Sequence, residues 1–258
     1  MITSVKNSRI KLVRAMQARS KTRREEGAFI VEGVRLSEEA VAAGWQPRLC
    51  LYTAGLHLRG LQLVDELRTA GAEVEEVAEH VMQAASDTQT PQGILLVVAH
   101  HPLPMPEAAN LVLILDRVQD PGNLGTLMRT AWAAGVDAVL LTEGSVDPFS
   151  PKVVRSGMGA HFHLPVDTLS PEAIAEICRI QQLTLWTAAA GEGAAYTEAN
   201  LADPAALIIG SEAHGVGDVL TGEAKPLHIP MPGGSESLNA AVAGAILLFE
   251  AVRQRRAG

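Results

Sequence analysis

The chain predicts an α/β protein of two units, the second built on a mostly parallel sheet. Three observations predict it. Apolar strand-like runs alternate with helical stretches along most of the 258 residues, the pattern of parallel strands covered by helices on both faces. A proline-rich stretch, His100-His101-Pro102-Leu103-Pro104-Met105-Pro106-Glu107, interrupts the alternation. Its prolines continue neither a helix nor a central strand. Finally, three loops rich in Gly and polar residues, 116–125, 210–215 and 230–239, each follow an apolar run in the second unit. Ligands in such folds bind beyond the carboxyl ends of the strands, so the three loops predict one composite site.

The first unit, 1–99, opens on a helix from Ser8 to Ala18, with Ile10, Leu12, Val13 and Met16 at helical spacing and Ser8 as its cap. Phe29 to Glu32 reads as a strand turning at Gly33. Val34 to Ala43 is helical, and Gly44 suits the position after a helix end. Arg48–Thr53 is a strand, Leu58–Ala70 a helix stopped at Gly71, Glu73–Val77 a strand, Glu79–Ala85 a short helix and Gly93–Ala99 an apolar strand. Residues 100–109 are the linker, with His100 and His101 solvated.

The second unit, 110–258, begins with the apolar strand Leu111–Leu115, ending at Asp116. Helix 123–134, strand Ala138–Thr142, a helix around Pro151–Gly157 and strand Phe162–Val166 follow. Then come helix Pro171–Gln181 and strands Leu183–Ala188, Ala206–Ile209 and Leu227–Ile229. A long helix from Ser237 to Arg253 ends the pattern, with Ser237 at its start.

Composition bounds the function. Hydrophobic residues make up 47% and charged residues 19%, enough for a buried core. Aromatics are only 3%, which argues against extended base stacking on aromatic platforms. Cys50 and Cys178 lie in apolar runs and read as buried thiols of a reducing, cytoplasmic compartment. No Cys/His cluster has the spacing of a metal site. No apolar run is long enough for a membrane span, and the basic N-terminus lacks the apolar core of a signal peptide. Net charge is −8, yet residues 1–24 carry eight Lys or Arg and no acid. A basic arm on an acidic body is the asymmetry of a nucleic-acid contact; a solvated amphipathic helix is the plainer alternative.

The loops by themselves specify little more than a small ligand. Gly122 and Gly125 have no third glycine in register, so a dinucleotide fingerprint is missing. There is no phosphate-binding GxxxxGK pattern, and Ser235 and Ser237 sit in no nucleophile elbow. Arg129 follows six residues after Asn123 on an otherwise apolar helix. It is placed either to hold a phosphate or developing negative charge, or to extend its guanidinium to solvent.

Together the three loops are specific. Asp116-x-x-x-Asp120-Pro121-x-Asn123-x-Gly125-x-x-x-Arg129-Thr130 resembles the first motif of the SpoU/TrmH family of RNA ribose 2′-O-methyltransferases, Gly210-Ser211-Glu212-x-x-Gly215 the second, and Ile229-Pro230-Met231-x-Gly233-x-x-x-Ser237-Leu238-Asn239 the third. The segment Glu25 to Leu36 resembles that family's N-terminal substrate-binding domain, an α/β fold of ribosomal-protein type. The resemblance implies a SPOUT fold whose trefoil knot spans about Leu207 to Glu250, S-adenosylmethionine as cofactor, and a homodimer packed through the knotted domain. It assigns Arg129, Asn123, Glu212, Ser237 and Asn239 to catalysis and Gly210, Ile229, Met231 and Leu238 to the cofactor. Arg155 matches an RNA-contacting position, and Arg9, Arg14, Arg23, Arg24 and Arg35 extend that contact. The implied substrate is ribosomal RNA rather than tRNA. A tRNA methyltransferase and a non-catalytic RNA-binding protein of the same fold are the alternatives, the second disfavoured by the intact set of catalytic positions. A Rossmann oxidoreductase is disfavoured by the missing fingerprint.

Overall fold

The computed structural model describes residues 1–189, 191, 193–211 and 214–257. Contacts divide it into two compact units. Unit 1 comprises Met1–His101 and Asp147–Phe162; unit 2 comprises Pro102–Val146 and His163–Gly258. The segment 147–162, which sequence alone groups with the second half, packs with the first.

Unit 1 runs α1 (Ser8–Ala18), α2 (Ser20–Glu26), β1 (Ala28–Glu32), α3 (Val34–Ala42), β2 (Pro47–Tyr52), α4 (Leu58–Thr69), β3 (Glu73–Glu76), α5 (Glu79–Ala85) and β4 (Ile94–Ala99). Asn7, not Ser8, caps α1 by accepting from the Arg9 amide. The basic stretch after Ala18 is a second helix, set off by the extended backbone of Arg19. The four strands are ordered β1-β4-β2-β3. Their core joins Ile10, Val13 and Met16 of α1 to Ile30, Leu51, Met82 and Leu95. His100 and His101 are exposed, as the sequence suggests, with one ring edge-on to Phe149 and the other edge-on to Trp45.

Unit 2 continues with β5 (Leu111–Asp116), α6 (Pro121–Ala134) and β6 (Ala138–Thr142). Helix α7 (Pro151–Gly157) belongs to the segment packed in unit 1. Then follow β7 (Val166–Leu169), α8 (Pro171–Ile180), β8 (Thr184–Ala188), β9 (Ala194–Ala195), β10 (Ala205–Gly210), α9 (Asp218–Glu223), β11 (Lys225–His228) and α10 (Ala240–Ala257). Seven strands, all parallel, are ordered β7-β6-β5-β10-β8-β11-β9. The central ones are aliphatic up to their last residues and almost wholly buried, as a sheet covered on both faces requires.

Two element starts differ from the sequence reading by three residues or more. The apolar run Phe162–Val166 is not a strand; Ala160–Phe162 is one 3₁₀ turn and β7 starts at Val166. Pro165 has no amide to give to a ladder, so pairing begins after it. The last helix starts at Ala240 rather than Ser237, because Asn239 caps it.

Candidate active site

A parallel sheet puts all its carboxyl ends on one edge, and in unit 2 that edge carries the loops after Asp116, Ala188, Gly210 and His228. A cavity of about 440 Å³ opens there. Gly210, Ile229, Met231 and Leu238, the four residues matched to cofactor binding, all line it. Ser237 and Asn239 line it too, with Ala188 and Ala189 on the β8 side. The volume suits a small-molecule ligand, and the mixture of aliphatic side chains with exposed backbone suits a nucleoside.

Each wall has a local cause. Ser211 and Gly215 exchange backbone bonds of 3.2 and 2.9 Å, closing a tight turn after β10. The Ser211 hydroxyl accepts from the His214 amide at 3.1 Å. Gly210 has no alternative residue: a Cβ there would sit 2.3 Å from the Gly215 carbonyl carbon. On the opposite wall, Pro230 and Pro232 stop β11 from extending. The chain then turns through a Gly234 amide to Met231 carbonyl bond of 3.0 Å.

Asn239 joins the third loop to the first. Its Oδ1 accepts from the amides of Ala241 (2.9 Å) and Val242 (3.2 Å), satisfying the start of α10. Its Nδ2 donates to Asn123 Oδ1 at 3.0 Å. Asn123 sits in the first turn of α6, itself capped by Asp120, which accepts from the Asn123 amide at 2.7 Å. Two matched residues separated by more than a hundred positions are thereby in direct contact. Ser237 is exposed and is not the helix cap; its carbonyl accepts from the Ser235 hydroxyl at 2.9 Å.

Arg129 lies further along α6, exposed, with no ion pair or hydrogen bond among the described residues, and it is not part of the cavity wall. Glu212 lies outside the described residues. The sequence missed the wall formed by Ala188–Ala189, because its small apolar residues carry no loop signal before Gly191. Neither thiol offers a nucleophile: burial pushes Cys178 up to about 11 and Cys50 up to about 12.

The arginines matched to RNA contact, all in unit 1, divide into three groups. Arg14, Arg24 and Arg35 are exposed. Arg9 is half-exposed beside Glu73 and Glu75, and Arg155 bonds Asp87 at 2.8 Å. Arg23 is a correction. It is buried, with its Nε 3.0 Å from Asp147 Oδ2 and its Nη1 bonded to the Met16 carbonyl. Its neighbours on the helix face solvent because α2 turns them outward, whereas Arg23 points at α1 and the returning segment.

Comparison with known proteins follows the same division. A model of the SpoU rRNA Methylase family matches residues 110–249. A model of an MRM3-like substrate binding domain matches residues 7–96. The 23S rRNA (guanosine(2553)-2′-O)-methyltransferase RlmP of Bacillus subtilis (strain 168) is 36% identical, over 96% of this chain and 97% of its own length. The AdoMet-bound rRNA methyltransferase from Sinorhizobium meliloti superposes with a TM-score of 0.88 at 31% identity, covering 98% of this chain and 97% of that one. The SpoU methyltransferase AviRb from Streptomyces viridochromogenes, in complex with AdoMet, superposes with a TM-score of 0.87 at 29% identity, covering 98% of this chain and 100% of that one.

Proposed function

This chain belongs to the SpoU rRNA methylase family, and we propose that it methylates a ribose 2′-hydroxyl of ribosomal RNA with S-adenosylmethionine as donor. One observation carries this reading. The four residues matched to cofactor binding, drawn from two loops, line a single cavity at the carboxyl edge of the parallel sheet. Solved relatives of the same fold are described with AdoMet bound. The ribosomal substrate is supported by the name of the Bacillus relative and by the substrate-binding domain matched over unit 1.

Bound S-adenosylmethionine supplies an electrophilic methyl group. The protein's own residues do the rest. Gly210, Ile229 and Leu238 hold the donor against backbone and aliphatic surface. The Asn123–Asn239 contact fixes α6 against the start of α10, so that the first and third loops keep one geometry. Arg129 is left for the substrate. A guanidinium is a poor base at neutral pH, so its part is to clamp the phosphate beside the target ribose and to stabilise the negative charge that builds on the attacking oxygen while its proton passes to solvent. Arg14, Arg24 and Arg35 contact RNA phosphates; Arg9 and Arg155 reach them by exchanging their carboxylate partners.

The reading includes a trefoil knot from about Leu207 to Glu250. It is supported by β11 lying between β8 and β9 while α10 returns to pack on α6 and β10. It also includes a homodimer through this region, supported by Val242 and Phe249, exposed one heptad apart on α10. The two free, buried cysteines fit the cytoplasm. No helix among the described residues is long and apolar enough to cross a membrane.

The test is labelled S-adenosylmethionine with ribosomal RNA and, separately, tRNA from cells lacking the gene. Label should enter one ribosomal ribose, and Arg129→Ala should slow transfer by about 10²–10³-fold while cofactor binding persists. Unlabelled ribosomal RNA with an Arg129→Ala variant indistinguishable from wild type would sink the reading. Label in tRNA alone would keep the chemistry and overturn the substrate.

A further inference from the structure

We propose that Asp116 is a positioning residue: its buried carboxylate holds the loop 210–217 against the ends of β5 and β6, and so shapes the cofactor cavity. Asp116 is the last residue of β5 and only 2% exposed. It does not line the cofactor cavity, so any effect on the ligand acts through the loop.

The carboxylate has three donors. Oδ1 accepts from the Thr142 hydroxyl at 2.6 Å. Oδ2 accepts from the Gly217 amide at 2.7 Å and from Arg117 Nη2 at 3.2 Å. Thr142 is the last residue of β6 and is itself buried, and its oxygen accepts the Arg117 amide at 3.0 Å. Arg117 takes a left-handed φ of 54° to make that bond. The loop approaches so closely at Gly217 that a Cβ there would meet Arg117 Nη2 at 3.3 Å and Asp116 Oδ2 at 3.5 Å.

These bonds have one geometric result. β10 pairs with β5 up to Gly210 opposite Asp116, and the chain then leaves the sheet. It makes the Ser211–Gly215 turn and is caught again at Gly217 by the same Asp116. The loop is therefore clamped at both ends by one residue, through its backbone at the start and its side chain at the end. Gly210, Ser211 and Gly215 of that loop line the cofactor cavity. Filling space alone would not select a carboxylate here, since desolvating it costs more than burying an apolar side chain. A charged acceptor is useful because it grips a backbone amide that has no sheet partner.

The proposal rests on the cofactor reading of the cavity, and hydrogen exchange tests it apart from that reading. In full-length protein without cofactor, Asp116→Asn and Thr142→Val should each speed exchange of the amides in 211–217 by roughly tenfold. Exchange in β5, β6 and unit 1 should not change. The Kd for S-adenosylmethionine, measured by calorimetry, should rise by a similar factor, with kcat at saturating cofactor nearly preserved. Thr142→Ser, which keeps the hydroxyl, should restore both. Unchanged exchange in 211–217, or acceleration spread evenly over the strands of unit 2, overturns the proposal. A wild-type protein that binds no S-adenosylmethionine overturns the cofactor reading, and the exchange data still decide the role of Asp116.

Discussion

Within unit 1, His161 is buried between Phe149 and the Pro148 carbonyl, which its Nε2 meets at 2.7 Å, while its Nδ1 has no partner among the described residues. Arg23 is buried against Asp147, the first residue of the same returning segment. Within unit 2, strands β5, β6 and β10 are aliphatic until their last residues, where Asp116 and Thr142 are buried together. In unit 1, Arg23 and His161 fasten a stretch of chain inside a core. In unit 2, Asp116 and Thr142 stand at strand ends and fasten loops. The first arrangement makes the interior sensitive to protonation; the second leaves the core indifferent and makes the ligand edge sensitive to backbone geometry.

The sharpest way to break this contrast is Gly210→Ala. The added Cβ meets backbone of Gly215 and Val216, so the loop has to move. Affinity for S-adenosylmethionine should fall by about a hundredfold or more, read by calorimetry. Exchange protection in unit 1 should stay as in wild type. A variant with unimpaired binding would show that the edge tolerates backbone shifts.

Acid should act the other way round. Burial lowers His161 from 6.5 to about 4. The unfolded chain therefore binds the extra proton first as pH falls. The stability that neutral His161 lends is fully present above about pH 6.5 and is lost between there and about pH 4, on the order of 3 kcal/mol in all. Hydrogen exchange in β1 and α7 should rise through that window, and His161→Leu should flatten the response. Equal loss of protection in β5 and β10 would erase the distinction between the units.

The smallest effect separates two adjacent arginines. Arg24→Ala should weaken RNA binding uniformly across sequences and lower the slope of log affinity against log salt by about one. Arg23→Ala should leave that slope unchanged and instead destabilise unit 1, because it strands Asp147. A salt slope that falls for both would return Arg23 to the contact surface.

This pair also shows how far the sequence could be read. Alternation of apolar strands and helices located the central strands of the sheet, since burial on both faces leaves a strong pattern, but misplaced β7 and missed the short edge strand β9. The loop residues of the site were legible because their spacing is specific. Which arginine turns inward was not, because α2 carries no apolar stripe to fix its face, and the partner Asp147 lies 124 positions away. The cap of α10 was misplaced by two residues for a related reason: Ser237 and Asn239 are both good caps, and only the contact with Asn123 selects the second. The return of 147–162 to unit 1 left no local trace, as it depends on which core receives Phe149 and Phe162.

That return bears on how such a protein can be recombined. A chain that visited each unit once could exchange the half matched to a substrate-binding domain by a single splice at the prolines after His101. Here the splice would carry away β1 with Phe29 and leave behind Phe149 and Phe162, whose rings pack against it, and His161, which packs on Phe149. A new specificity half would have to offer an aromatic pocket matched to the old segment, or bring its own version of 147–162. Drift by point substitution on the exposed faces is therefore the accessible route to a new RNA target, and wholesale swapping is not.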